Sequence, residues 1–308
     1  MLIFSFPGAA DGPARAVREE SMRYEKSPLA IVGGALLAAG LSFAPAASAQ
    51  ESTEELAKAA QNPVAAMISL PFQNNTNFGY GPDNDIQNIL NIQPVWPFSL
   101  GANWNLITRT ILPVIYQPDL TLPVRVSPGV VQDVTIDGAF GLGDLLPTFF
   151  FSPAKASKVI WGIGPTFTLP IATDDILGSG KWSAGPALVV LTMPGHWVLG
   201  VLVNNQWSFA GSSNRADVNA MVLQYFVNYN LAKGWYITSA PINTANWEAD
   251  SSDRWTVPIG GGVGRIFRAG KQPMNVSVSA FYNVVKPDNL PAADWQLRLQ
   301  VQLLFPKS

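Results

Sequence analysis

Residues 295–305 read Trp295-Gln296-Leu297-Arg298-Leu299-Gln300-Val301-Gln302-Leu303-Leu304-Phe305. Successive side chains of an extended strand leave on opposite faces. Trp295, Leu297, Leu299, Val301, Leu303 and Phe305 therefore share one face, while Gln296, Arg298, Gln300 and Gln302 share the other. A period of two over eleven residues is a strand signal and not a helical one.

Working outward, the preceding segment repeats the pattern. Met274, Val276, Val278, Ala280, Tyr282 and Val284 oppose Asn275, Ser277, Ser279 and Asn283. Further back, Trp197, Leu199, Val201 and Val203 oppose Gly200, Asn204, Gln206 and Ser208; Trp161, Ile163, Pro165, Phe167, Leu169 and Ile171 oppose Gly162, Gly164, Thr166 and Thr168. About twelve such segments can be traced, near 65–74, 86–96, 102–115, 142–152, 158–172, 182–193, 197–210, 217–229, 235–246, 254–267, 273–285 and 294–305. Their connections fall into two classes that alternate. One is tight and often basic: 97–101, 153–157, 193–196, 231–234 and 269–272. The other is longer, polar and richer in aspartate: 75–85, 117–141, 173–181, 211–216, 247–253 and 286–293. Short turns on one rim, long loops on the other and an even strand number are the rule for bacterial membrane barrels. A soluble sandwich has no reason to segregate its turns.

Composition agrees. The 308 residues are 48% hydrophobic, 11% aromatic and only 13% charged, against about a quarter charged in ordinary soluble domains. The net charge of −2 gives no basic footprint for nucleic acid. There is no cysteine, which excludes disulfides and thiolate metal sites. Trp96, Trp104, Trp182, Trp197, Trp207, Trp235, Trp255 and Trp295 lie near segment ends, where aromatic girdles meet the membrane interfaces. One feature opposes this reading. Pro94, Pro113, Pro147, Pro165, Pro170, Pro186 and Pro258 fall inside the proposed strands, and a closed wall has no edge on which to place a missing donor.

The N-terminus divides into three parts. Residues 1–21 read as an extension from an upstream start, and residues 22–49 as a signal peptide. That signal has Arg23 and Lys26, then the apolar run Leu29–Leu41, then the cleavage motif Ala47-Ser48-Ala49. Residues 50–63 are expected to carry a short helix, with Ser52 and Glu55 at capping-box spacing and Asn62-Pro63 as its stop. Residues 64–308 would form the barrel.

The search for chemistry finds little. The single histidine, His196, falls in a tight turn, and no G-x-S-x-G elbow accompanies it. No catalytic residue, cofactor or metal site is assigned; Thr173-Asp174-Asp175 and 248–253 read as solvated loops. The functional candidates are inward polar groups: Arg298 with Gln296 and Gln300, and Arg109, with Asp144 as a nearby counter-charge. A charge facing lipid at mid-depth costs about 2–4 kcal/mol, so these groups should face the lumen. There they could line a solute path or pair with each other as a plug. The helix bearing Glu54, Glu55 and Lys58 could dock in the lumen as a gate.

Several segments resemble a known family. They are Leu56-Ala57-Lys58-Ala59-Ala60-Gln61-Asn62-Pro63-Val64-Ala65, Pro71-Phe72-Gln73-Asn74-Asn75-Thr76-Asn77, Gly178-Ser179-Gly180-Lys181-Trp182, Val203-Asn204-Asn205-Gln206-Trp207-Ser208 and Gln302-Leu303-Leu304-Phe305-Pro306-Lys307. They resemble a Gram-negative envelope family named for the meta-pathway of phenol degradation, whose members are often labelled transporters or "neuromedin U". The resemblance implies an outer-membrane barrel that passes hydrophobic or aromatic compounds.

The expected protein is thus all-β: a closed antiparallel transmembrane barrel of about 12 strands with a short N-terminal helix. It would be exported to the outer membrane and surrounded by lipid and lipopolysaccharide. The expected function is a passive channel for small hydrophobic or aromatic solutes, with a lateral exit as one option. The alternative is a structural or adhesive barrel with partner-binding outer loops and no open pore.

Overall fold

A strand that buries neither face in protein must put apolar side chains toward lipid and pair every backbone group with a neighbour, which only a closed barrel achieves. The computed structural model, which describes residues 53–127, 130–155 and 157–306, has this form. Twelve antiparallel staves follow one another in chain order. They are β1 (Ile68–Tyr80), β2 (Asp85–Ile92 and Val95–Leu100), β3 (Trp104–Gln117), β4 (Ala139–Leu142 and Leu146–Pro153), β5 (Val159–Thr168), β6 (Lys181–Thr192), β7 (Trp197–Gly211), β8 (Asn219–Asn230), β9 (Trp235–Ser239 and Ile242–Asn246), β10 (Trp255–Ala269), β11 (Gln272–Val285) and β12 (Trp295–Phe305). The ring closes where β12 pairs with β1, from Ile68 opposite Phe305 to Phe78 opposite Trp295.

The outward row of β12 is exposed as its alternation requires, with Trp295, Leu299, Val301 and Phe305 on the surface and Arg298, Gln302 and Leu304 buried. Trp104, Trp197 and Trp235 stand at the short-turn rim; Trp182, Trp207 and Trp295 stand toward the long-loop rim. The prolines are accommodated by interrupting the ladder. Pro94 falls between the two halves of β2, and Pro170 lies beyond the end of β5. Pro165 sits directly opposite Pro186, so two missing donors share one interruption. Pro258 lies at a register shift between β10 and β11.

Two loop expectations need correcting. Residues 75–85 are not a long loop: β1 continues to Tyr80 and only residues 81–84 turn. The polar run that suggested a loop is paired strand, with Asn74, Thr76 and Asn88 hydrogen-bonded to one another and Asn77 donating to Gln87. Residues 117–141 contain a β-hairpin, Leu120–Ser127 with Val130–Ile136. Leu120 at its base packs with Tyr80, Ile89 and Ile115.

The helix α1 (Thr53–Ala60) is present. The extension and signal peptide expected over residues 1–49 lie outside the described residues. Leu56 and Ala57 pack with Tyr236, Ile266 and Leu304, all at strand ends on the short-turn rim. Eight residues make a marginal helix in water; this docking supplies its stability.

Candidate functional site

The inward rows enclose two chambers. The outer, about 150 Å³, lies toward the long loops. Its walls combine amides such as Asn75, Asn77 and Gln87 with apolar Ile89, Ile242 and Leu290. The inner, about 190 Å³, lies toward the short turns, with Gln300, Gln302, Asn275 and Arg109 on its walls. Gln73 and Arg298 line both chambers, so these two residues stand at the partition.

Three hydrogen bonds hold Arg298. Its Nε donates to Asn75 Oδ1 at 3.0 Å, Nη1 to the Ala240 carbonyl at 2.9 Å, and Nη2 to Gln296 Oε1 at 2.9 Å. The guanidinium lies over the Phe281 ring, 4.7 Å from its centroid. The Ala240 bond crosses from β12 to β9. It is possible because Ala240 lies between the two halves of β9, so its carbonyl is released from the ladder; Gln224 Nε2 also reaches it. The acceptors printed for Arg298 are all neutral, so the guanidinium brings positive charge to the partition between the chambers.

Arg109 faces the inner chamber and donates to Gln93 Oε1 at 2.7 Å. Gln93 itself lies in the interruption of β2. Arg109 and Arg298 are the charged side chains lining this chamber.

Of the five residues read as the solute path, the structure gathers Arg109, Gln296, Arg298 and Gln300 on the lumen. Asp144 is a correction: it does not pair with Arg109. Register places Arg109 opposite Thr148, four residues along β4 from Asp144 and so roughly 13 Å away at strand rise. The Asp144 carboxylate instead accepts from the amide nitrogens of Ala172 and Ser179 and from the Ser179 hydroxyl. It anchors the loop between β5 and β6.

The gate residues also sit differently from the simplest expectation. Glu54 and Glu55 are exposed, and Glu54 pairs with Lys58 at 3.2 Å along the helix. The residues that reach the inner chamber are Ala59, Ala60 and Gln61. Gln61 and Asn230 exchange amide hydrogen bonds at 2.9 and 3.3 Å, tying the end of α1 to β8. Sequence reasoning missed Gln73, Asn75, Gln93 and the Ala240 carbonyl. The parity of β1 would have exposed the first two had that strand been continued through Asn77. His196 is exposed in the turn between β6 and β7, edge-on to Tyr229.

Comparison with known proteins supports the architecture. The structure is similar to the COG4313 outer membrane channel from Pseudomonas putida F1, with a TM-score of 0.58 and 17% identity over 79% of this chain and 97% of that one. Weaker likenesses are to the CymD monoaromatic hydrocarbon channel (TM-score 0.41, 8% identity, 78% and 88% covered) and to outer membrane phospholipase A from Escherichia coli (0.38, 13%, 80% and 93%). No protein-family profile matches the chain, and no curated protein matches it.

Proposed function

We propose that this barrel is an outer-membrane channel of a Gram-negative bacterium, passing small hydrophobic or aromatic solutes by passive diffusion without covalent chemistry. The observation that carries the reading is the pair of lumen chambers in line, partitioned by Arg298 and floored by the end of α1. A cavity of about 150 Å³ is large enough to hold a benzene ring. The outer chamber sets apolar Ile89, Ile242 and Leu290 beside amide side chains, a lining suited to a ring with a polar substituent. The sequence resemblance to the phenol meta-pathway family favours the same solute class, and the likeness to the COG4313 outer membrane channel favours a channel.

The two arginines add a charge preference. With no carboxylate on the inner chamber wall among the described residues, the field there favours anions and opposes cations. Arg298 and α1 narrow the path at rest. In planar bilayers the mature protein should therefore give small currents that grow when residues 50–62 are deleted, and grow again with Arg298→Ala. Unchanged current in both variants would favour a structural barrel that exposes its outer hairpin to a partner.

A further inference from the structure

Among the described residues, three buried side-chain polar atoms have no hydrogen-bond partner, and two of them line the outer chamber: the Tyr80 hydroxyl and Arg254 Nε. A buried donor left unpaired is costly, and folded proteins seldom carry one without a reason. Strand geometry brings both to the chamber. Parity would set Phe78 and Tyr80 on the same outward face of β1, but the register with β2 shifts between them, at Gly79 with a φ of +65°. This glycine bulge turns Tyr80 inward, where it is 5% exposed, while Phe78 stays on the outer surface. Arg254 stands at the head of β10 and shares parity with Thr256 and Pro258, which also line the chamber.

The surrounding groups leave these two atoms free. Gln87 and Gln117 lie beside the Tyr80 hydroxyl, but their amides are engaged in a chain of bonds. Asn77 donates to Gln87 at 2.8 Å, Gln87 to Gln117 at 2.6 Å, and Gln117 to the Pro118 carbonyl at 3.3 Å. Arg254 donates from Nη2 to the Ala249 carbonyl at 3.4 Å, and its guanidinium lies 5.8 Å from the centroid of the Trp247 ring. It forms no ion pair among the described residues. Asp253 is the one carboxylate among the described residues of this wall. It is taken up by the neighbouring loop, accepting from the Asn289 backbone at 2.7 Å and from its side chain at 3.0 Å.

The free groups are therefore donors, and one carries a full positive charge. Beside them lie apolar Ile89, Ile242 and Leu290, and the space holds a six-membered ring. A hydroxyl on such a ring could serve Tyr80, but it would leave the Arg254 charge without a counterpart. A carboxylate accepts from both, through charge-assisted bonds. The arginines continue inward from there: Arg254 lines the outer chamber, Arg298 lines both, and Arg109 lines the inner.

We propose that the outer chamber is a binding site for a monoaromatic carboxylate. The ring lies among Ile89, Ile242 and Leu290, and the carboxylate oxygens accept from Arg254 Nε and the Tyr80 hydroxyl. Arg298 and then Arg109 stand in line to receive the anion as it moves inward. This rests on the channel reading above and names the charged end of the solute.

The test compares benzoate with benzyl alcohol, a neutral molecule of the same shape. Dissociation constants come from saturation-transfer NMR on the detergent-solubilised protein, and benzoate permeation from reversal potentials in planar bilayers. Benzoate should bind about tenfold more tightly than benzyl alcohol, equivalent to about 1.4 kcal/mol. Arg254→Gln should abolish that preference. Tyr80→Phe removes a hydroxyl that has no partner in the fold, so the barrel keeps its heat-modifiable migration while benzoate binding weakens about threefold. Leu290→Trp, which fills the chamber, should remove binding of both probes and serves if Arg254→Gln does not assemble. Equal affinity for the two probes overturns the site, as does benzoate binding that survives Arg254→Gln or Leu290→Trp unchanged. Wild-type protein that binds benzoate but passes no benzoate current leaves the site standing and removes the channel reading.

Discussion

The two sides of the barrel interior are built differently. On the β3–β8 side, inward positions are mostly apolar: Ile107, Phe150, Val189, Leu191, Val198, Leu202 and Phe226 pack on one another and on Val64 from the N-terminal segment, with Leu202, Phe226 and the polar Arg109 at the border of the inner chamber. On the β12–β1–β2 side, inward positions hold Gln73, Asn75, Gln93, Arg298, Gln300 and Gln302 around the chambers. The alternation of two is the same on both. Parity therefore reports which way a side chain points, and says nothing of whether its surroundings are dry protein or lumen. The packed side is a core that holds the wall in shape; in the proposed channel, the amide-lined side is where a solute would move.

The largest expected difference is in stability. Phe150→Ala empties the centre of the packed side and should cost about 3–5 kcal/mol. Gln300→Ala, on a chamber wall, should change stability by no more than about 0.5 kcal/mol. Urea unfolding in detergent, followed by the loss of heat-modifiable migration on SDS gels, measures both. Equal losses would break the comparison. The next effect is electrostatic. Arg109→Gln removes one of two uncompensated charges from the inner chamber, and the chloride-over-potassium permeability ratio should fall by a factor of roughly two to five, the range of a surface-like coupling of about 0.5–1 kcal/mol. Reversal potentials in a salt gradient report it.

The smallest effect lies at the roof of the outer chamber. Asp253 is pushed up by burial, but hydrogen bonds from the Asn289 side chain and backbone outweigh that and hold its carboxyl below the usual range. A carboxylate with a lowered pKa in the folded state contributes stability above its unfolded pKa, and that contribution is lost as pH falls through the folded value. The clamp between loop 247–254 and loop 286–294 should therefore stay intact from neutrality down to about pH 4, the ordinary aspartate range, and release below it. The Asn289 side-chain amide resonances follow this directly.

Most of the wall was legible in the sequence, because lipid outside and closure all round force a period of two onto each stave. What was misread follows from physical ambiguity in particular residues. The run Asn74-Asn75-Thr76-Asn77 has loop composition, yet these side chains satisfy one another across β1 and β2. Residues 187–203, by contrast, were read as two strands and a turn, as found, although both faces are apolar there: Val189, Leu191, Val198 and Leu202 enter the packed side while Leu188 and Trp197 face outward. Asp144 suggested a partner for Arg109, but its acceptors are used by backbone donors of a loop whose path no local pattern reveals. Glu54, Glu55 and Lys58 attracted notice as charges, whereas the small Ala59 and Ala60 are what fit against the chamber. The break in the ladder between β9 and β10 was signalled only by Pro258.

In the proposed channel, solute passes along the amide-lined side of the interior and not along the packed side. Because the chain has no cysteine, one cysteine at a time can be placed on each side and challenged with a water-soluble anionic methanethiosulfonate during single-channel recording. Reagent should reduce the current through Gln300→Cys and leave that through Val189→Cys untouched. Equal block at the two positions, or block at Val189→Cys alone, would contradict it.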